Sequence, residues 1–390
     1  MTRHVRNLSL PVATFAAGCA VFGLTMPSQA QSAREAVHQR IVEAIKASGA
    51  TDVKVGRIEG DDARFTVSST TITTKDGDKT GTLEFGPTTY VDAKTTADGG
   101  YTIGEMTSEA MKFRTSDGKF VAEKLRVVNY AGQAPSKIKA GDVTGEKFER
   151  IEVSGITVTS DDGKIVPIAS VAITAGDYVG NTARKGSLSV TGIAVPIDAK
   201  DPEMAQIVAL GYSKMSLDFS MTGSWDDKTG RLDLTDLTMR GAEMGALKFT
   251  ATIGGLTPEV MAQLQKSTGS DEKQIELLQG LTVEKVALRY DDASLATRLI
   301  DQQAKEQGVD GKTYAKQLKM MVPMMVSMIG NKDFEKKVVS AAGAFLDAPK
   351  SLTISAMPKS PLPVSQIMGA AMMAPQSLPS VLGAEVKAND

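Results

Sequence analysis

Apolar and polar residues change rhythm three times along this chain. Over residues 33–47, Val37, Ile41, Ala44 and Ile45 recur on one helical stripe, with Arg34, Glu35, Gln39 and Lys46 elsewhere, so the spacing predicts an amphipathic helix. From residue 53 to 195 the period becomes two, as in Phe65-Thr66-Val67, Leu83-Glu84-Phe85 and Ile151-Glu152-Val153. That rhythm predicts strands. The strands are separated by Asp76-Gly77, Asp98-Gly99, Asp117-Gly118 and Asp162-Gly163, dipeptides that tolerate positive φ and suit tight hairpins. Val153-Ser-Gly-Ile-Thr-Val158 is echoed weakly by Val190-Thr-Gly-Ile-Ala-Val195.

The clearest alternation runs from 217 to 254. Leu217, Phe219 and Met221 alternate with Asp218, Ser220 and Thr222; a turn at 226–230 precedes Leu232, Leu234 and Leu237; a second turn at 241–245 precedes Leu247, Phe249, Ala251 and Ile253. This pattern predicts a three-stranded meander with one apolar face, and that face needs a cover. After Pro258 the helical period returns, predicting helices over 258–266, 272–278, 294–307, 312–329 and 333–346. Strands are expected at 281–290, 352–356 and 384–387. The fold class is therefore α+β, with an antiparallel sheet first and a mainly helical, Met-rich section second. The expected organisation is a leader at 1–30, a β-rich region at 31–256 and a helical region at 257–390 that packs on the sheet, in one domain with it or in its own.

Within this stretch, the runs Gly230-Arg-Leu-Asp-Leu-Thr-Asp-Leu237 and Gly245-Ala-Leu-Lys-Phe-Thr-Ala-Thr-Ile-Gly-Gly-Leu256 resemble the hairpin of AsmA-like and related bacterial envelope proteins. The resemblance covers residues 217–257. It implies an elongated, curved antiparallel sheet with an apolar concave side, and a role in envelope maintenance or lipid handling. Members usually keep a membrane anchor, whereas here the apolar N-terminal segment is expected to be cleaved.

That segment has Arg3 and Arg6, an apolar run from Leu8 to Leu24, and Ser28-Gln29-Ala30 before Gln31, the plan of a secretory signal peptide. Export to the periplasm or medium with cleavage after Ala30 is expected. Cys19 follows Ala16-Ala17-Gly18, as in a lipidated cysteine, but the apolar run continues through Val21, Phe22 and Leu24, which fits ordinary cleavage better. Without the leader, 42 basic residues face 46 acidic ones, a net charge of −4, so a basic nucleic-acid face is not expected. No later segment reaches the roughly 18–20 apolar residues of a membrane span.

Past the leader there is no cysteine and one histidine, His38, which lies among Arg34, Glu35, Gln39 and Arg40 and reads as solvated helix surface. No G-x-S-x-G, Walker or H-E-x-x-H motif occurs, and no Ser-x-x-Lys has a persuasive setting. The carboxylate pairs Asp61-Asp62, Asp161-Asp162, Asp226-Asp227 and Asp291-Asp292 stand in turns or before helices, where aspartate caps backbone amides. Asp76-Gly77-Asp78 lacks the spacing of a calcium loop. No enzyme and no cofactor are expected.

The most unusual composition is Met320-Met-Val-Pro-Met-Met-Val-Ser-Met328, where Met320, Met324 and Met328 form one stripe and Met321 and Met325 the next. Met368, Met372 and Met373 repeat the spacing. Such methionines serve as core filler beneath a sheet, as an adaptable surface for lipid or acyl chain, or as thioether ligands of Cu(I). Pro323 is expected to kink or interrupt the helix. The candidate apolar site comprises Leu217, Phe219, Met221, Leu247, Phe249, Met320, Met321, Met324, Met325 and Met328, with the Met-bearing helices as a lid. The alternative is a structural protein that docks an envelope partner and takes no small ligand.

Overall fold

The computed structural model describes residues 32–77, 79–115, 118–140, 145–202, 204–266 and 271–390. The leader at 1–30 with Cys19, and the turn residues Asp78 and Asp117, lie outside the described residues. The chain divides into two compact units, Met1–Ala183 and Arg184–Asp390. The change of period near Leu256 falls inside the second.

The first unit opens with α1 (Ala33–Ala47). Ser32 caps it reciprocally with Glu35, the Ser32 hydroxyl accepting from the Glu35 amide and the Glu35 carboxylate accepting from the Ser32 amide. Strands β1 (Ala50–Val55), β2 (Ile58–Gly60), β3 (Arg64–Val67), β4 (Thr70–Asp76), β5 (Lys79–Phe85), β6 (Thr88–Val91) and β7 (Lys94–Thr95) follow. Four long strands complete the unit: β8 (Tyr101–Thr115), β9 (Gly118–Gly132), β10 (Arg150–Ser160) and β11 (Ile165–Val179). Every ladder is antiparallel. β8 takes β6 and β7 along its first half and β5 along its second, and β8–β9–β10–β11 runs on as a meander.

Burial there divides in two. Val37, Ile41 and Ala44 of α1 pack on Phe65, Val67, Tyr90, Tyr101 and Ile103, while Met111, Leu125, Val127, Val153 and Ile156 fill the sheet's own layer. His38 belongs to the first group. It is only 6% exposed and meets the rings of Phe65 and Tyr90 edge-on, each at 6.4 Å. This corrects the reading of His38 as solvated surface: at 100° per residue it lies beside Val37 and close to Ile41, and the stripe is wide enough to take it in.

The second unit holds β12 (Thr182–Val195), α2 (Ala205–Ala209), β13 (Met215–Asp226), β14 (Arg231–Gly241), β15 (Gly245–Gly254), α3 (Pro258–Lys266), α4 (Asp271–Gln279) and β16 (Thr282–Asp292). It continues with α5 (Leu295–Glu306), α6 (Gly311–Val326), α7 (Lys332–Asp347), β17 (Ser351–Ala356), β18 (Leu362–Pro363), α8 (Val364–Met373), α9 (Leu378–Val381) and β19 (Ala384–Ala388). Antiparallel pairing runs β12–β13–β14–β15–β16–β17–β19, with β18 beside the start of β16. The α+β architecture with an N-terminal helix and C-terminal helices is thus present. α6 continues through Pro323 to Val326 and closes in a 3-10 turn before Gly330, whose φ is 71°.

The echoed hexapeptides lie in β10 and β12. Their glycines, Gly155 and Gly192, both stand at positive φ inside a strand, +63° and +65°, so the repeated glycine has a shared backbone cause.

Candidate functional site

Cross-strand pairs in an antiparallel sheet share a face. In the second unit, one row of pairs places Val190, Phe219, Met239, Leu247, Tyr290 and Leu352 side by side. The next row is Leu188, Met221, Leu237, Phe249, Leu288 and Ile354. Two bulges keep the face in phase. Leu234 and Leu237 are three residues apart, and the register shift between them in β14 returns both side chains to one side. The shift between Thr252 and Ile253 opposite β16 does the same for Val283 and Val286.

The reverse face is polar and paired. Asp236 takes Ser220, Thr238 and Lys248; Asp233 takes Thr252 at 2.7 Å and Arg231 at 3.1 Å; Arg289 forks onto Asp291. Burial works against ionisation of Asp233, but the bonds from Thr252 and Arg231 outweigh it and hold its pKa below the ordinary value. Asp233, Asp236 and Asp291 of this sheet are thus each held by neighbouring side chains.

Clusters close both ends of the apolar face. At one, Trp225 packs with Leu256 and Leu281, under Val260, Met261 and Leu264 of α3, and its indole N–H donates to the Leu256 carbonyl at 2.7 Å. At the other, Leu210, Tyr212 and Met244 pack together, with the Arg298 guanidinium 4.2 Å above the Tyr212 ring. Along the margin, Phe345 of α7 meets Tyr290 edge-on at 6.3 Å. Between these covers the floor is open: Met221, Met239, Leu247, Leu288 and Ile354 are 39–56% exposed. Folding ordinarily hides side chains of this size, and a contiguous exposed group of them marks a contact surface.

Leu217, Phe219, Met221, Leu247 and Phe249 therefore stand on one continuous floor. The methionines of α6 do not join them there. α6 packs principally on α5 and α7, and Met320, Met321, Met324, Met325 and Met328 are all exposed. The core-filler reading of this helix is corrected: none of its residues is fully buried, it packs on two neighbouring helices, and the Met stripes stay exposed. A cleft of about 350 Å³ lined by Pro323 and Val326 of α6 and Lys332, Glu335 and Val339 of α7 is separate from the floor.

Leu188, Val190, Leu237, Met239, Leu288, Tyr290, Leu352 and Ile354 also stand on the floor and are absent from the sequence-predicted site. Leu237 and Met239 belong to β14 of the meander itself, where the bulge breaks the period of two; the others follow the alternation of β12, β16 and β17, but joining those strands to the meander requires the register.

Elsewhere the carboxylate pairs act on the backbone. Asp61 accepts from the amides of Ala63 and Arg64, Asp162 from Lys164, Asp226 from Lys228, and Asp292 from Ala296 at the start of α5. Among the described residues no group of three or more His, Cys, Asp or Glu side chains is placed to hold a metal ion, and no helix is long and apolar enough to cross a membrane.

Residues 238–389, from within β14 to β19, match a protein family described as "Uncharacterized protein". No curated protein matches the chain.

Proposed function

We propose that the second unit binds an apolar ligand, a lipid or acyl chain, against the open sheet floor, and that the protein does so outside the cytoplasm as a binding protein and not an enzyme. One observation carries this reading: a single apolar face, continuous over six strands and closed at both ends, leaves five large side chains 39–56% exposed. A flat-lying chain would span about 24 Å across those strands at roughly 4.8 Å per strand. Covering a large apolar side chain completely is worth roughly 1.5–3 kcal/mol, and about half of that remains available at each of the five. The total, ~4–7 kcal/mol, is a gross gain against which the cost of immobilising the ligand is set. A ligand must therefore touch most of the floor to bind usefully, which favours a long chain over a compact molecule.

The leader sequence supports export, and the paired state of the sheet's carboxylates and the burial of His38 support binding over catalysis. The test is titration with a fluorescent long-chain fatty acid. Met239→Asp and Leu288→Asp, at exposed floor positions, are expected to weaken binding at least tenfold while circular dichroism stays unchanged. Binding that both variants retain would defeat the proposal.

A further inference from the structure

The methionines that do not line the sheet floor gather at another place. Asn331, which caps α7, donates from its side-chain amide to the Gln376 carbonyl at 3.0 Å and to the Ser380 hydroxyl at 3.1 Å. Met328 is three residues from one side of that junction and Met373 three residues from the other, each within roughly 10 Å along the chain. The two clusters, far apart in sequence, are thus brought near one another in the second unit. Met324, Met325, Met328, Met372 and Met373 are 63–90% exposed there.

Two features of charge accompany these methionines. Of the lysines on α6 and α7, Lys319 pairs with Asp347, Lys332 with Glu335, Lys336 with Asp333 and Lys337 with Glu385, which leaves Lys312 and Lys316 to present positive charge. Residues 360–384 carry no charged side chain at all. Lys312 and Lys316 are exposed on the first half of α6, ahead of the methionines. Exposed methionines preceded on the same helical stripe by Lys312 and Lys316, four residues apart and four before Met320, match an anionic bilayer in both respects. Thioether side chains enter the headgroup–acyl boundary, and lysines reach back to the phosphates. A peptide partner fits these methionines less well, because side chains so fully solvated project outward and do not line a groove.

We propose that these methionines form a bilayer-contact surface for anionic lipid. The proposal does not depend on the sheet floor holding a ligand. The test is flotation of the full protein with phosphatidylglycerol-containing vesicles and with pure phosphatidylcholine vesicles. The expected result is at least tenfold stronger partition onto the anionic vesicles, a tenfold or greater loss in Met324→Ser/Met328→Ser/Met372→Ser/Met373→Ser, and a several-fold loss in Lys312→Gln/Lys316→Gln. Because all these positions are exposed, the variants should fold. Met328→Trp adds an independent readout, since Trp225 is buried: its emission should shift to the blue on adding anionic vesicles. Absence of partition, partition that the serine variant retains in full, an unshifted emission, or crosslinking of position 328 to a discrete protein in place of lipid would each overturn the bilayer assignment.

Discussion

His38 and Glu146, both in the first unit, pull its stability in opposite directions as the pH changes. Burial pushes the His38 imidazole down from 6.5 to about 4. Between those values the unfolded chain binds the extra proton, so stability falls as the pH drops, by up to roughly 3 kcal/mol over the window. Burial pushes Glu146 up from 4.5 to about 7, moderated by the Tyr130 hydroxyl. Here the folded chain binds the extra proton, and stability rises as the pH drops from 7 to 4.5 by a similar amount. The two slopes offset each other, so the combined contribution of this pair should be nearly flat between about pH 4.5 and 6.5. His38→Leu should become more stable toward pH 5 and Glu146→Gln less stable, as read from urea midpoints by circular dichroism. Two single variants as flat as the parent would contradict the account. His38 also shows what a helical wheel omits. The polar neighbours that made it look solvated are real, but Phe65 and Tyr90 come from strands, and no local pattern announces that they close over it.

At the scale of elements, the turn between β13 and β14 depends on one glycine. Gly230 has φ +67°, donates to the Asp226 carbonyl at 2.8 Å, and accepts from the Leu256 amide at 2.8 Å. A Cβ there would stand 3.1 Å from the Leu256 carbonyl carbon and the Thr257 nitrogen, both backbone atoms. Gly230→Ala should therefore cost ~2 kcal/mol, the left-handed penalty plus a contact that cannot yield. Gly163, also at positive φ but with open space around it, should lose only about half as much on the same change. Equal losses at the two sites would show that the contact with the β15–α3 corner is unimportant. The elements themselves were largely legible: α1 has the expected bounds, the 217–254 meander forms, and helices stand at the expected stretches after Pro258. Their signals are local, being periodicity, caps and Asp-Gly turns. α2 and α9 are too short to show a period, and α8 is apolar nearly throughout, so its helix was implied only by methionine spacing.

For the whole molecule, composition pointed to greasy contact but could not assign it to a surface. Methionine is equally at home in a core and on an adaptable face, and only the packing of α6 on α5 and α7 separates the two. Likewise the sheet floor was legible as three strands, whereas its continuation into β12, β16 and β17 needs pairings between residues up to seventy positions apart. The central claim is that this floor holds an apolar chain in the cell. The most direct measurement is organic extraction of the protein purified from a membrane-containing host, followed by mass spectrometry of the extract. A lipid or fatty acid is expected in near-stoichiometric amount, and it should be lost from Met239→Asp/Leu288→Asp. An extract without lipid from the parent protein, or the same lipid content in the variant, would contradict the claim.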